Sequence, residues 1–176
     1  MSAPHPPLQG SELDSLTAFL DYYRAVVIDK ASGLAGVDLT RRLGPSTLTL
    51  GGIVHHLALV EHWWFHECFA GQEADHPWKD VSWDDDPDWD FNIAGDLDPQ
   101  VIFDRYQRQC ARSRDVVANA EGLEQLSVRA GRNDQSWSLR WILIHMIEET
   151  ARHAGHMDLI RESIDGATGD FRAEPL

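Results

Sequence analysis

Two histidines and one glutamate supply the residue types that ligate divalent metals. Glu149 and His153 stand four residues apart in a segment whose apolar residues recur every three or four positions. A helix there places both side chains one turn apart, near the centre of its apolar face. His56 lies at the edge of a second such face. Since a buried carboxylate is costly unless it is paired or binds a metal, these three residues form a candidate site. Three protein ligands leave a coordination position for water or substrate, which is typical of catalytic metal sites.

The same spacing also has a structural interpretation. A Glu–His pair one turn apart is typical of a buried, hydrogen-bonded ion pair, and a single histidine on an apolar face is commonly a satisfied core residue. The spacing alone leaves both interpretations open. If a metal is bound, two histidines and one carboxylate suit Zn²⁺, Ni²⁺, Fe²⁺ or Mn²⁺.

Two further histidines flank the face that carries Glu149, namely His145 and His156. They are candidates for orienting a ligand or for transferring a proton during catalysis. The alternative is that both simply pack at the seam between helices. His55 falls almost opposite the apolar stripe of its helix, so we expect it to face solvent, as we do for His62 and His66.

Four segments show helical periodicity, and none shows convincing alternation with a period of two residues. Ser11 and Asp14 form a capping-box pair before the first helix, and Asp98 caps the third, which begins with Pro99. The pattern predicts an all-α protein, a four-helix bundle. The predicted helices run from about Glu12 to Lys30, from Ser46 or Thr47 to Ala70, from Pro99 to about Ala120, and from Ser136 or Ser138 to about Ser163.

The negative charge is concentrated between the second and third helices. The chain has 176 residues and a formal net charge of −14. Residues 73–98 carry ten Asp and Glu side chains but a single Lys, together with Trp78, Trp83 and Trp89. Proline and aspartate at this density oppose regular structure, whereas tryptophan is rare in disordered segments. We therefore expect residues 71–98 to form a long acidic loop whose tryptophans pack on the body while its carboxylates stay in water.

Charge and hydropathy exclude several classes of function. A net charge of −14 without a basic patch disfavours binding to nucleic acid or anionic lipid. No apolar run reaches the roughly 18–20 residues that a membrane span needs, and two cysteines are too few for a disulfide framework. We expect a cytoplasmic protein with a single domain over residues 1–176. The sequence leaves the oligomeric state open, and a homodimer is a candidate because bundles of this size commonly pair. This domain includes an extended N-terminal arm, residues 1–10, and a C-terminal tail, residues 167–176.

Two segments resemble helices of a known superfamily. Residues 49–65, TLGGIVHHLALVEHWWF, resemble the second helix of the DinB/YfiT-like metalloenzymes, in which a histidine followed by leucine ligates the metal. Residues 141–166, WILIHMIEETARHAGHMDLIRESIDG, resemble the fourth helix. The resemblance covers most of residues 6–169 and is greatest to the actinobacterial branch that contains mycothiol-dependent enzymes.

The resemblance implies a fold and a ligand set. The fold is a four-helix bundle of up-down-down-up order, and the implied metal ligands are His56, Glu149 and His153. Much of the superfamily has histidine where this chain has Glu149, and the Glu-for-His variant is similar to the mycothiol-dependent maleylpyruvate isomerase. Because this chain ends at Leu176 without the additional C-terminal domain of that isomerase, a thiol S-transferase is the closer expectation.

The expected function is therefore a metal-dependent S-transferase. Its expected metal is Zn²⁺, and its expected substrates are a low-molecular-weight thiol, namely mycothiol or a similar thiol, and a small electrophile. Two alternatives remain open at this point. One is a non-enzymatic stress-response protein that binds a metal or ligand, and the other is a metal-dependent hydrolase that uses hydroxide instead of a thiolate as the nucleophile.

Overall fold

A computed structural model describes residues 5–131 and 133–168, and regular secondary structure in these ranges is entirely helical. The all-α prediction is confirmed. None of the helices in these ranges combines the length and apolarity needed to cross a membrane. Residues 1–4 of the predicted arm and 169–176 of the predicted tail lie outside the description. The α-helices are α1 (Glu12–Ala31), α2 (Gly36–Leu39), α3 (Leu50–Glu61), α4 (Trp89–Asn92), α5 (Pro99–Ala118) and α6 (Leu139–Asp165); a π-helical segment, His62–Phe69, continues α3, and two 3-10 turns, Trp78–Asp80 and Ile93–Asp96, accompany α4.

The ends of the long helices follow from their capping residues. The Ser11 hydroxyl accepts a hydrogen bond from the Asp14 amide at 3.1 Å, while the Asp14 carboxylate accepts one from the Ser11 amide at 3.2 Å. The predicted capping box of α1 is thus confirmed. Helix α3 begins later than Ser46 or Thr47, because the side chain of Thr49 caps it by accepting from the amide of Gly52 at 3.0 Å.

The four long helices pack on one another. Helix α1 contacts α6 and α3, and α3 also contacts α5 and α6. A buried ion pair adds to the apolar contact between α1 and α3, since the Arg24 guanidinium donates to both carboxylate oxygens of Glu61 at 2.7 and 2.6 Å. The buried apolar residues between α3, α5 and the end of α6 include Leu50, Ile53, Val54, Leu57, Ile102, Tyr106 and Met157.

The acidic segment, residues 71–98, is more ordered than the predicted loop. It contains α4 and both 3-10 turns, and α4 packs directly on α3. Trp78 is buried and Trp83 is 36% exposed. The expectation that the carboxylates stay in water is wrong for Asp90, of which only 3% is exposed. Helix α3 is therefore covered on the face that we expected to meet solvent.

Because the acidic segment packs on α3, the predictions that His55, His62 and His66 face solvent are wrong. His55 and His62 are fully buried, and His66 is half-buried. His55 Nδ1 lies 2.6 Å from the backbone carbonyl oxygen of Asp90, and the ring of His62 packs on that of Trp78 with 4.6 Å between their centroids. The periodicity of α3 defines one apolar stripe, but it carries no information about a non-periodic segment that packs on the other side.

Candidate metal centre

His56, Glu149 and His153 come together where α3 faces α6, and we refer to them as the three-ligand cluster. Nε2 of His56 and Nε2 of His153 each lie 3.3 Å from Oε1 of Glu149. This is longer than the usual N–H···O hydrogen bond of about 2.9–3.0 Å. Two ligand atoms bound at about 2.1 Å to a tetrahedral ion are about 3.4 Å apart. The separations in the cluster therefore fit ligands that share one ion.

The cluster is mostly buried, and each of its side chains keeps a small exposure to solvent. The side chains of His56, Glu149 and His153 are 17%, 14% and 10% exposed. Hydrogen bonds with His153 and then with His56 hold the pKa of Glu149 well below its usual range, so this carboxylate is ionised at neutral pH. An ionised carboxylate and imidazole nitrogens are the forms of these residues that bind metal.

Asp90 is a further residue of this candidate site, and the sequence analysis did not predict it. The Nδ1–H group of His56 donates to Oδ2 of Asp90 at 2.5 Å, and the ring of Phe91 stacks on that of His56 at 4.2 Å between centroids. Because Asp90 holds the proton on Nδ1, Nε2 of His56 is the nitrogen that can give up its proton and bind a metal, which is the usual arrangement of a histidine ligand and its carboxylate partner. A sequence signal existed, because Asp90 is the carboxylate of this segment that stands directly between two aromatic residues.

The electrostatic environment of His56 favours a positive charge. Burial by itself lowers the pKa of His56, but the hydrogen bonds with Asp90 and then with Glu149 raise it above its usual value. The two carboxylates thus stabilise the positively charged, protonated form of the His56 ring. A divalent ion can supply that positive charge in place of a proton.

The ring of His156 lies beside the cluster. It makes an edge contact with the ring of His153 at 5.4 Å between centroids. Burial, followed by the charges of His153 and Arg152, lowers the pKa of His156, so the ring is neutral at pH 7. A neutral imidazole is able to accept a proton.

His145 occupies a different environment. Its ring stacks on Trp141 at 5.1 Å and makes an edge contact with Trp64 at 4.9 Å, in both cases between centroids. Nδ1 of His145 also lies 3.8 Å from Glu148. His145 precedes Glu149 by one helical turn, and its closest ring neighbours are aromatic side chains.

A second group of potential ligands lies in the π-helical segment and the start of the acidic segment. One ligand atom from each of His62, His66 and Asp75 falls within 4.8 Å of the other two. The guanidinium of Arg112 occupies this group, since it donates to the ring of His66 at 2.8 Å and to the carboxylate of Asp75. A fixed cation among the ligands repels a metal ion. Arg152 also lies near the three-ligand cluster, at 3.6 Å from Oε2 of Glu149, but its side chain is 57% exposed and it approaches from outside. The three-ligand cluster is therefore the better candidate metal site.

The cysteines of the chain are not reactive thiols. Cys68 and Cys110 are both buried. Burial raises the pKa of Cys68 to about 11 and that of Cys110 still further above its usual value. Because the thiolate is the nucleophilic form of cysteine, neither side chain supplies a nucleophile at neutral pH. A reaction of a thiol at this site therefore requires a thiol from solution.

The fold and the cluster define a class, namely all-helical proteins in which two helices contribute two histidines and one carboxylate to a candidate divalent-metal site. Within that class, a model of the mycothiol S-transferase family matches residues 15–166. The match spans most of the chain, which therefore belongs to the mycothiol S-transferase family. The predicted DinB-like superfamily is thereby confirmed. No curated protein shows a significant match to the chain.

Proposed function

We propose that this protein is a divalent-metal-dependent S-transferase that joins mycothiol, or a similar low-molecular-weight thiol, to a small electrophile. Family membership supports the thiol substrate. The geometry of the three-ligand cluster supports the metal, and the observation that carries it is the pair of 3.3 Å separations around Oε1 of Glu149. The absence of a reactive cysteine at neutral pH among the described residues agrees with a thiol that arrives as substrate.

His56, Glu149 and His153 would hold the metal. Zn²⁺ is the proposed ion, because two histidines and one glutamate form a known ligand set of catalytic zinc, and Ni²⁺, Fe²⁺ and Mn²⁺ accept the same ligand types. When bound, a divalent ion supplies the positive charge that lowers the pKa of a coordinated thiol. Asp90 fixes the tautomer and the orientation of His56.

The thiol must lose a proton before its sulfur forms a bond to carbon. We propose His156 as the acceptor of this proton, because its ring is neutral at pH 7 and contacts His153. Nδ1 of His156 is buried, which leaves Nε2 as the accepting atom. His145 stays a second candidate for proton transfer, one helical turn before Glu149.

We further propose the up-down-down-up bundle order for the four long helices, in a single domain over residues 1–176. The contacts of α1 with α6 and of α3 with α5 support this order, as does the superfamily relationship. A cytoplasmic location is proposed because low-molecular-weight thiols are kept reduced in that compartment.

Metal analysis and a conjugation assay test the proposed function together. Protein purified without chelators is analysed for bound metal and is then assayed with mycothiol and an electrophile, before and after dialysis against EDTA. We expect about one divalent ion per chain, loss of conjugation after dialysis and its recovery with Zn²⁺. Glu149→Gln and His153→Ala should each lose the metal and at least about a hundredfold in kcat/KM, equivalent to about 2.7 kcal/mol.

The matched control is Glu148→Gln, which changes the neighbouring carboxylate that is 48% exposed. It should retain metal and activity. Conjugation that survives complete metal removal would overturn the proposed role of the cluster. A stoichiometric metal with no turnover of any thiol and electrophile pair would point to a binding protein, and metal-dependent hydrolysis without conjugation would point to a hydrolase.

A further inference from the structure

A pocket of about 350 Å³ lies along α3 and its π-helical continuation. Pockets that bind small molecules have volumes from about 300 Å³ upwards, with mostly apolar and aromatic walls. Four of the seven tryptophans of the chain line this one. We call it the tryptophan pocket, and its principal wall residues are Leu59, Val60, Trp63, Trp64, Trp78 and Trp83.

The tryptophan pocket and the three-ligand cluster share helix α3. Leu59 and Val60 follow His56 in α3 by three and four residues, which places them one helical turn from this ligand on the same side of the helix. On the other wall, the ring of Trp83 contacts that of Trp89 at 6.2 Å between centroids. Trp89 directly precedes Asp90, the partner of His56. One wall of the pocket thus begins one helical turn after His56, and the other wall contacts the residue that precedes Asp90.

The exposure of the wall residues indicates that the pocket opens to solvent. Trp63 is 42% exposed and Trp83 is 36% exposed. Tryptophan rings left partly in water along a concave surface gain free energy when an apolar ring covers them. A planar aromatic group can stack on these indoles and has dimensions that suit the pocket.

The charges around the tryptophan pocket select against anions. The segment that contributes Trp78 and Trp83 carries ten acidic side chains, among which Asp84 and Asp85 are exposed beside Trp83. The carboxylate of Glu67 is part of the wall, and Arg129 already pairs with it at 3.0 Å. The described wall residues of the pocket include no cation. Two guanidinium groups lie near wall rings, that of Arg129 at 5.9 Å from Trp63 and that of Arg105 at 6.0 Å from Trp78. The charge of Arg129 is paired with Glu67, and exposed carboxylates lie beside Trp83.

We propose that the tryptophan pocket binds the aryl group of a neutral or cationic electrophile and directs its reactive carbon to the three-ligand cluster. This inference rests on the proposed transferase function. With an aryl chloroacetamide, the thiol sulfur forms a bond to the CH₂ carbon while the carbon–chlorine bond breaks. Chloride leaves with the bonding electron pair, and the thiol proton is released to water.

Binding is tested first and without any thiol. Acetanilide, the unreactive analogue of an aryl chloroacetamide, is titrated into the intact protein by calorimetry, with N-ethylacetamide as the non-aromatic comparison. We expect acetanilide to bind at least about tenfold more tightly. Trp83→Ala should weaken it about three- to tenfold, which corresponds to the loss of one aromatic stack.

Two further variants separate a local effect from a folding defect. Ala74→Phe adds a ring to a half-buried wall position and should fill the pocket, so that acetanilide binding is lost while the metal content stays unchanged. Phe19→Ala removes an aromatic side chain that is 45% exposed on α1 and should leave binding unchanged. Equal affinity for both amides, or unaltered acetanilide binding in Ala74→Phe, would overturn the proposal.

Turnover provides the second test. The values of kcat/KM are compared for 2-chloro-N-phenylacetamide, 2-chloro-N-ethylacetamide and the 4-carboxyphenyl analogue, each corrected for its uncatalysed reaction with the thiol. We expect the phenyl substrate to exceed the other two by at least about tenfold. Conjugation of all three at equal rates would refute the pocket assignment and leave the transferase standing. Acetanilide binding without any conjugation would refute the transferase and leave the pocket standing.

Discussion

At the scale of single residues, two carboxylates contact His56 from opposite sides. Glu149 faces Nε2 at 3.3 Å, and Asp90 accepts from Nδ1 at 2.5 Å. Glu149 is one of the three proposed ligands, whereas the proposed role of Asp90 is to fix the tautomer of the imidazole ring. The two acids therefore differ in what their removal should do.

Asp90→Asn keeps the shape of the side chain and removes its charge. We expect the affinity for Zn²⁺ to fall about ten- to a hundredfold, because carboxylate partners of histidine ligands typically contribute this much. Competition with a chromophoric chelator measures the change. Asp84→Asn, at an exposed carboxylate of the same acidic segment, is the matched control. Equal Zn²⁺ affinity in both variants would contradict the role of Asp90.

The three candidate ligands could be identified from the sequence, whereas for Asp90 the sequence offered only its place between two aromatic residues. Helical periodicity fixes the angle of every side chain around its axis, so the spacing of Glu149 and His153 is enough to place them on one face. The same reasoning applies to Glu61, which lies on the stripe of Leu50, Leu57 and Trp64 and which the sequence analysis overlooked. Asp90 lies in a segment without periodicity, where sequence spacing says nothing about the direction of a side chain.

At the scale of elements, the docking of the acidic segment on α3 depends on a glycine. A Cβ atom at Gly52 would lie 3.0 Å from the backbone oxygen of Phe91 and 2.9 Å from the Thr49 hydroxyl that caps the helix. The lack of a side chain at this position lets the chain around Phe91 approach the first turn of α3. The position of Asp90 against His56 depends on that approach.

Gly52→Ala should therefore act on both stability and metal binding. We expect a loss of about 1–3 kcal/mol in the free energy of unfolding, the usual cost of overpacking, together with weaker Zn²⁺ binding as Asp90 moves away from His56. Urea denaturation and a metal titration measure the two effects. At Gly155, in α6, an added Cβ meets nothing within 4 Å, so Gly155→Ala should instead gain about 0.5–1 kcal/mol. A stabilised Gly52→Ala would be incompatible with the close approach.

The buried ion pair between α1 and α3 leads to a second prediction, about the stability of the contact between these helices. Arg24 is 5% exposed and Glu61 is 1% exposed, so Glu61→Leu leaves a guanidinium in the interior with Asp21 as its remaining carboxylate partner at 2.8 Å. We expect a loss of about 3–5 kcal/mol. The double variant Arg24→Met with Glu61→Leu should recover most of this loss, because it removes both charges. Chemical denaturation measures the free energy of unfolding of the two variants. If the double variant is no more stable than Glu61→Leu, the unpaired charge is not the cause of the loss.

At the scale of the whole molecule, the acidic segment does more than carry charge. A formal net charge of −14, if it were spread evenly over the surface, would disfavour polyanionic partners. Residues 73–98 carry most of that excess. Their aromatic side chains cover α3 and form one wall of the tryptophan pocket, while Asp90 reaches His56. The four helices were predictable because each is periodic, whereas the position of this segment depends on long-range packing that local sequence does not encode.

The burial of His62 beneath the acidic segment also makes the stability of the protein sensitive to pH. Burial, followed by repulsion from His66, lowers the pKa of His62 from 6.5 to about 4. Below pH 6.5 the unfolded chain binds a proton at this histidine that the folded protein does not bind until about pH 4. The free energy of unfolding therefore decreases as the pH falls from about 6.5 to about 4, by about 2 kcal/mol at pH 5 for this one residue.

His62→Gln removes the titrating ring. Between pH 7 and pH 5, the free energy of unfolding should therefore fall by about 2 kcal/mol less in this variant than in the unmodified protein. Urea denaturation at the two pH values measures this difference, which is independent of any general loss of stability in the variant. His76→Gln changes an exposed histidine of the acidic segment and should retain the full pH dependence. If His62→Gln retains it as well, His62 is not the group whose burial links the packing of this segment to pH.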